Sequence, residues 1–489
     1  MNPAIRRVGI GITVLILILV AELSYLQIFD ANSLKHNPHN SLSLLATANK
    51  PRGDIVTADG TVVAQSVRVH DNTAFKYQRE YPTGSLFSQV VGYQSFVYGD
   101  TGVEKTYNDD LTGQSLDLQL HNLRGILSGS STVGNVVLSL RADAQKTAES
   151  ALGFQRGSVV LLNVQTGAVL AMYSTPSFDP NPLTSHNAQI AQADFTALSR
   201  DPNQPSLPRA YRQLYPPGSS FKTVTSSVAL EDGVATPETT YPFRSQLPLP
   251  QTTATLKNFG GEVCGGTLVQ SFTVSCNTTF GQIGLQLGNS FVPGMEKFGI
   301  GSAPPLDVSP GAATSLGPAP GSFQNNMPNF AFAGIGQGDV AVTPLQMALV
   351  AEGIANGGVI MQPHVASEIR DSDDKLIRRI TPEAWMTATT PQVAAAVTQM
   401  MINVVNSPNG TGTAARIPGV TVAGKTGTAQ TTPNVPPEAW FIAFAPAQAP
   451  KYAVAVLVEH GGSEGSEATG GAVAAPIAAK MLRVALGIP

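Results

Sequence analysis

Apolar residues dominate the start of the chain. "VGIGITVLILILVA" (Val8–Ala21) carries no charge, and "LSYLQIF" (Leu23–Phe29) prolongs the run past a single Glu22. Together they reach the roughly 20 residues that a membrane-spanning helix needs. Arg6 and Arg7 precede the run. No small-x-small cleavage site follows, because Leu19 stands three residues before the best candidate end at Ala21. This pattern predicts an uncleaved anchor, Val8–Phe29, with the arginines cytoplasmic and everything after residue 30 outside. A cleaved signal is the alternative, and it too leaves the bulk of the chain extracytoplasmic.

Beyond the anchor the pattern shortens to strand length. In "RGDIVTADGTVVAQS" (Arg52–Ser66), Asp59-Gly60 separates two β-rich runs and predicts a hairpin. "TGVEKTYNDDLTG" (Thr101–Gly113) reads as a polar helical stretch closed by Gly113. "NVVLSL" (Asn135–Leu140) predicts a strand and "RADAQKTAESAL" (Arg141–Leu152) a helix. "GSVVLLNVQTGAVLAMYS" (Gly157–Ser174) is a pair of apolar runs joined at Gln165-Thr166-Gly167, a hairpin buried on at least one face. "AWFIAFA" and "KYAVAVLVEH" repeat that arrangement near the C-terminus, and Gly470–Leu486 closes the chain as a helix. Ser302–Asn329, rich in Pro, Gly and Ser, reads as loop. Strand pairs at both ends with helices between predict an α+β fold, an antiparallel sheet flanked by helices. The expected division is 1–30 tip and anchor, 31–150 non-catalytic, and 151–489 chemistry.

Composition narrows the function. A chain of 489 residues with 42% hydrophobic residues is long enough for two or three cores. A net charge of −4 without a basic stripe argues against nucleic acid as a partner. The histidines show no metal-ligand spacing; His36 and His39 alone are close, too few for a zinc site, so no metal is expected. In an oxidising compartment Cys264 and Cys276 can form a disulfide worth ~3 kcal/mol on the chain-entropy model, two unpaired buried thiols being the alternative.

Candidate chemistry begins at "YPPGSSFKT" (Tyr215–Thr223). In a helix starting near Ser219, Lys222 lies one turn on and on the same face, whereas Ser220 points away. A serine hydroxyl needs a base, and lysine serves once burial or a neighbouring cation depresses its pKa. S-x-x-K alone is weak, for Ser372–Lys375 matches as well; Asp371, Asp373 and Asp374 around it mark a solvated turn. Order adds weight. "SCN" (Ser275–Asn277) follows the first motif, and "KTGT" (Lys425–Thr428) lies on a predicted strand further on. "SHN" at Ser185 and "SPN" at Ser407 fit the middle pattern but fall outside that order or lead into no helix. "GIGQG" (Gly334–Gly338) lacks the GKS/T and the βαβ unit of a nucleotide site, and nothing in sequence sets a histidine beside Cys276 to make it a nucleophile.

With these three motifs the chain resembles the class B penicillin-binding proteins, nearest the actinobacterial penicillin-binding protein A group. "GAVLAMYSTPSFDPN", "GIGQGDVAVTPLQMA" and "GKTGTAQ" extend the resemblance along the transpeptidase domain, and "RGDIVTADGTVVAQS" and "GVEKTYNDDLTG" into the N-terminal module. The resemblance implies a transmembrane helix, a β-rich pedestal or dimerisation domain, and a serine transpeptidase/β-lactamase-like domain. It implies a D,D-transpeptidase that cross-links peptidoglycan stem peptides and is acylated by β-lactams, without a cofactor, beside a membrane glycosyltransferase. A D,D-carboxypeptidase or β-lactamase on the same fold, or a non-catalytic penicillin sensor, are the alternatives. By the same token Ser219 is the nucleophile and Lys222 its base, and Ser275 relays a proton to the leaving group. Asn277 binds the substrate amide and Lys222, and Lys425 with Thr426, Gly427 and Thr428 receives the substrate carboxylate. The backbone N–H groups of Ser219 and Thr428 form the oxyanion hole. Relatives often carry histidine where Glu438 stands in "PPEAWF", and the resemblance attaches no role to the glutamate.

Overall fold

The computed structural model describes residues 3–28, 49–69, 75–121, 133–430 and 435–488; His36, His39 and Phe29 lie outside them. The chain forms two compact units, residues 1–51 with 66–78, and 52–65 with 79–489. In the first, Pro3–Ile28 is one helix, and its Arg6–Leu26 stretch is long and apolar enough to cross a membrane.

The second unit is built on two sheets. The larger core belongs to five antiparallel strands in the order 423–429, 438–445, 452–458, 157–163, 169–175. Residues of 438–445 are buried without alternation, so both faces are covered, as continuous apolar runs require. Helix Pro344–Ala355 packs on strands 438–445, 452–458 and 157–163, while Ala475–Leu486 and Ala142–Leu152 pack together and against the sheet. The strand pairs read from 157–174 and from the C-terminal runs are therefore neighbours in one sheet, with 452–458 beside 157–163. The strand 423–429 is the edge, paired among the described residues only with 438–445.

Within this unit the second sheet runs 376–379, 366–371, 134–138, 55–56 and then the strand that starts at Val62. The Asp59-Gly60 hairpin is present, with Ile55 opposite Ala64 and Gly60 at φ +80°. Strands 366–371 and 376–379 reach it from far along the chain, and Ser372–Lys375 is the turn between them. The polar stretch 101–113 forms two short helices, Gly102–Thr106 and Asn108–Leu111. Glu104 on the first is fully buried and accepts from Arg52 and Arg79, each at 2.6 Å, and from the Tyr81 hydroxyl at 3.0 Å.

Candidate active site

The segment that carries Ser219 is held along its length. Tyr215 exchanges backbone hydrogen bonds with Val342, both at 2.9 Å. Trp440 Nε1 donates to the Pro216 carbonyl at 3.0 Å. Gly218 N donates to the Gly336 carbonyl at 2.9 Å. Gly336 has φ +73°, and a Cβ there would lie 2.2 Å from the Gly218 oxygen, so only glycine permits this approach. The "GIGQG" stretch is thus a buttress for the turn. The helix does not begin as a regular α-turn at Ser219. Gly218–Phe221 is a 3-10 turn that passes into the α-helix Lys222–Glu231. Ser219 in this turn and Lys222 at the start of the helix remain three residues apart, a spacing that in either helix type keeps two side chains on one side. Ser219 is half-buried; Ser220 is fully buried, its hydroxyl donating to the Pro217 carbonyl at 2.7 Å.

The middle motif depends on a helix end. Helix Leu268–Thr273 stops with Ser275 N bonded to the Phe272 carbonyl and Cys276 N to the Ser271 carbonyl, a Schellman pair. The residue between is normally glycine because it is left-handed; here it is Ser275 at φ +62°. That conformation aims its hydroxyl between two amines. Cys276 then opens the helix Asn277–Leu287, and its sulfur is joined to Cys264 on strand Cys264–Thr267, with 5.7 Å between the α-carbons.

Lys222 and Lys425 meet at Ser275. Lys222 Nζ donates to the Ser275 carbonyl at 2.7 Å and to Asn277 Oδ1 at 2.8 Å, and lies 3.3 Å from Ser275 Oγ. Lys425 Nζ donates to Ser275 Oγ at 2.8 Å and to the Thr426 carbonyl at 3.1 Å. Once Ser275 Oγ accepts from Lys425, its own proton is free to point at a neutral Lys222. Phe280 lies under Lys222 Nζ at 5.3 Å and Phe272 under Lys425 Nζ at 5.5 Å, and these two rings meet edge to face. Neither lysine is exposed. Burial, and then the charge of Lys425, hold the Lys222 amine well below the ordinary lysine range. Burial alone brings Lys425 down to about 7. Asn277 is fixed from its other end, since Nδ2 donates to the Lys257 carbonyl at 3.0 Å.

The strand Ala423–Ala429 lies against the Ser219 turn, backbone to backbone. A Cβ on Gly427 would come within 2.6 Å of the Pro217 oxygen and 3.1 Å of Ser220 N. Alternation along the strand turns Lys425 toward Lys222 and the threonines to the opposite side. There Thr426 Oγ1 meets Thr411 Oγ1 at 2.7 Å, and Thr428 Oγ1 accepts from Gly470 N at 3.4 Å. Lys222, Ser275, Asn277 and Lys425 thus meet at one centre; the Ser219 turn abuts the edge strand beside it, and the Thr426 and Thr428 hydroxyls stand on the other face of that strand.

Comparison with known proteins agrees with this geometry in kind. Residues 157–483 match the penicillin binding protein transpeptidase domain, and residues 52–137 the penicillin binding protein A dimerisation domain. The chain belongs to the penicillin-binding protein transpeptidase family. Peptidoglycan D,D-transpeptidase PbpA of Mycolicibacterium smegmatis is 41% identical to it, over 99% of each chain. Peptidoglycan D,D-transpeptidase PbpA of Mycobacterium tuberculosis is 38% identical, also over 99% of each. Among solved structures, the ceftriaxone acyl-enzyme of penicillin-binding protein A from M. tuberculosis superposes with a TM-score of 0.83 at 36% identity. It covers 90% of this chain and all of that one. The penicillin G acyl-enzyme of the same protein gives 0.80 at 36% identity, over 89% of this chain and 100% of that one.

Several residues of this penicillin-binding protein support the centre and escape a motif search. Thr411 and Gly470 engage the threonines, and Trp440 and Gly336 hold the turn. Glu459 is buried and accepts from Tyr215 OH at 2.6 Å, Arg209 at 2.8 Å and Arg156 at 3.0 Å. Only the apolar texture around "EAWF" and "VLVEH" hints at them, because their partners come from distant parts of the chain.

Proposed function

We propose that this chain is a peptidoglycan D,D-transpeptidase acting through a serine acyl-enzyme, with Ser219 as the nucleophile. The supporting observation is the pair of fully buried lysines that share Ser275 Oγ. A neutral Lys222 amine takes the Ser219 proton as Oγ attacks the carbonyl carbon of the penultimate D-alanine. The backbone N–H groups of Ser219 and Thr428 receive the developing oxyanion, where one donor is worth ~3 kcal/mol. As the tetrahedral centre collapses, the C–N bond breaks, the departing D-alanine nitrogen takes a proton from Ser275, and Lys222 replaces it. An acceptor-strand amine then attacks the ester carbon and gives a proton to Lys222; the C–O bond breaks, Lys222 returns that proton to Ser219 Oγ, and the new amide leaves. A β-lactam follows the first half alone, since its leaving nitrogen stays tethered in the opened ring.

Lys425 lends positive potential to the terminal carboxylate. Thr428 accepts from Gly470 and keeps its own proton for that carboxylate, as does the Thr411–Thr426 pair. The unpaired edge of 423–429 suits an extended peptide added alongside it. Asn277 retains a second N–H for the substrate amide. Residues 1–30 anchor the chain with its tip in the cytoplasm, residues 31–150 act as a spacer without chemistry, and residues 151–489 catalyse outside. A membrane glycosyltransferase that delivers nascent strands is the partner this placement calls for.

Fluorescent penicillin tests the assignment. Ser219→Ala abolishes covalent labelling, whereas Ser220→Ala keeps it and loses about 1 kcal/mol of stability with the buried Pro217 hydrogen bond. The opposite pattern of labelling excludes Ser219 as nucleophile.

A further inference from the structure

We propose that Glu438 is a positioning residue for substrate: through His460 it fixes the segment 459–469 against the Thr428 end of the edge strand. Glu438 is the first residue of strand Glu438–Ala445 and pairs directly with Ala429, the neighbour of Thr428. It is 2% exposed, yet both its oxygens are turned to one residue. Oε2 accepts from the His460 backbone N–H at 3.2 Å, and Oε1 faces His460 Nδ1 at 3.3 Å. His460 has φ +51°, a conformation that needs outside support in a residue with a side chain.

The segment that starts there folds back on itself. A Cβ on Gly461 would come within 2.9 Å of Ala468 Cβ and 3.4 Å of Pro436 Cβ. Ser463 N donates to Gln155 Oε1 at 3.0 Å. The segment then leads into Gly470, whose N–H reaches Thr428 Oγ1. It therefore leaves the sheet at one carboxylate and returns at the threonine that faces substrate.

A carboxylate is costly at this position. Glu459, the neighbouring buried acid, repels it and is itself claimed by Arg156, Arg209 and Tyr215. Burial, with Glu459 acting in the same direction, raises the Glu438 carboxyl to about 7, while the His460 N–H and Arg156 oppose the rise. An apolar side chain would avoid that cost and would leave the His460 N–H without its acceptor.

The proposal rests on Thr428 being a substrate contact. Its test is the acylation of the detergent-solubilised full chain by fluorescent penicillin, resolved into the dissociation constant of the encounter complex and the acylation rate constant. Glu438→Ala is expected to raise the dissociation constant about tenfold, equivalent to ~1.4 kcal/mol, with the rate constant held within about twofold. Glu438→Gln keeps an acceptor for the His460 N–H and is expected to restore wild-type binding. His460→Ala weakens binding, and combined with Glu438→Ala the two effects are less than additive. An unchanged dissociation constant in Glu438→Ala or His460→Ala, strict additivity, or a loss confined to the rate constant overturns the proposal. Wild-type protein that forms no adduct at Ser219 overturns the transpeptidase reading instead.

Discussion

At Lys222 strong effects oppose one another. Removing an ammonium from water disfavours its charged form, and Lys425 nearby adds repulsion. The Phe280 face and the Ser275 and Asn277 oxygens favour the charge but do not restore the lost hydration. The outcome is an amine that gives up its proton far more readily than an exposed lysine, as the proposed base must. Lys425, brought to about 7, sets the opposite requirement, because in the proposed mechanism its positive charge attracts the substrate carboxylate. Acylation by a β-lactam is therefore expected to rise with pH as Lys222 loses its proton and to decline above about 7 as Lys425 loses its own. Stopped-flow second-order constants measured across that range check this, and a profile with no alkaline decline contradicts the role of Lys425. Ser275 carries a cost of another kind. Ser275→Gly is expected to stabilise the left-handed position by up to about 1 kcal/mol while slowing acylation, since the relay hydroxyl is lost. A thermal melt and a labelling time course separate the two effects.

At the scale of elements, the site is a junction between a 3-10 turn, a helix end and an edge strand. The Cys264–Cys276 bond fastens the residue next to Ser275 to a neighbouring strand. Unreduced protein should yield one peptide pair linking these cysteines in mass spectrometry. Replacing both with serine is expected to cost ~3 kcal/mol on the loop-entropy account. Free thiols at both positions in oxidised protein contradict the linkage. Much of this junction was readable from the chain. Lys222 and Ser219 follow from helical spacing, and the apolar runs at 157–174 and 438–458 foretell the sheet. The 3-10 start was not readable, because Gly336 sets it from more than a hundred residues away in sequence. Nor was the left-handed Ser275, since a serine there carries no turn signal of its own.

At the scale of the whole molecule, long-range polar pairs support the second unit. Asp307 accepts from the Tyr107 hydroxyl at 2.6 Å and from the Val365 and Ala366 backbone. Glu104 binds Arg52 and Arg79 in a fully buried position, and although burial raises its pKa, the two arginines outweigh that and hold it below the ordinary range. Its contribution to stability is thus complete above the unfolded glutamate pKa and is lost as pH falls through the lower folded value. Arg79→Ala, which leaves a buried charge short of a partner, is expected to cost about 3–5 kcal/mol, read from chemical denaturation. The sequence by itself determined the apolar N-terminal helix, the α+β plan and the three motifs with their order, because apolar periodicity and local spacing are properties of neighbouring residues. Only the tertiary structure decided that strands 366–379 complete the N-terminal sheet. It also decided that two buried lysines share one serine, that Glu459 accepts from Tyr215 ahead of the Ser219 turn, and that Glu438 holds His460. Each of these arises from contact between segments remote in sequence, and desolvation, which sets the chemistry of the lysines, exists only once those segments have closed around them.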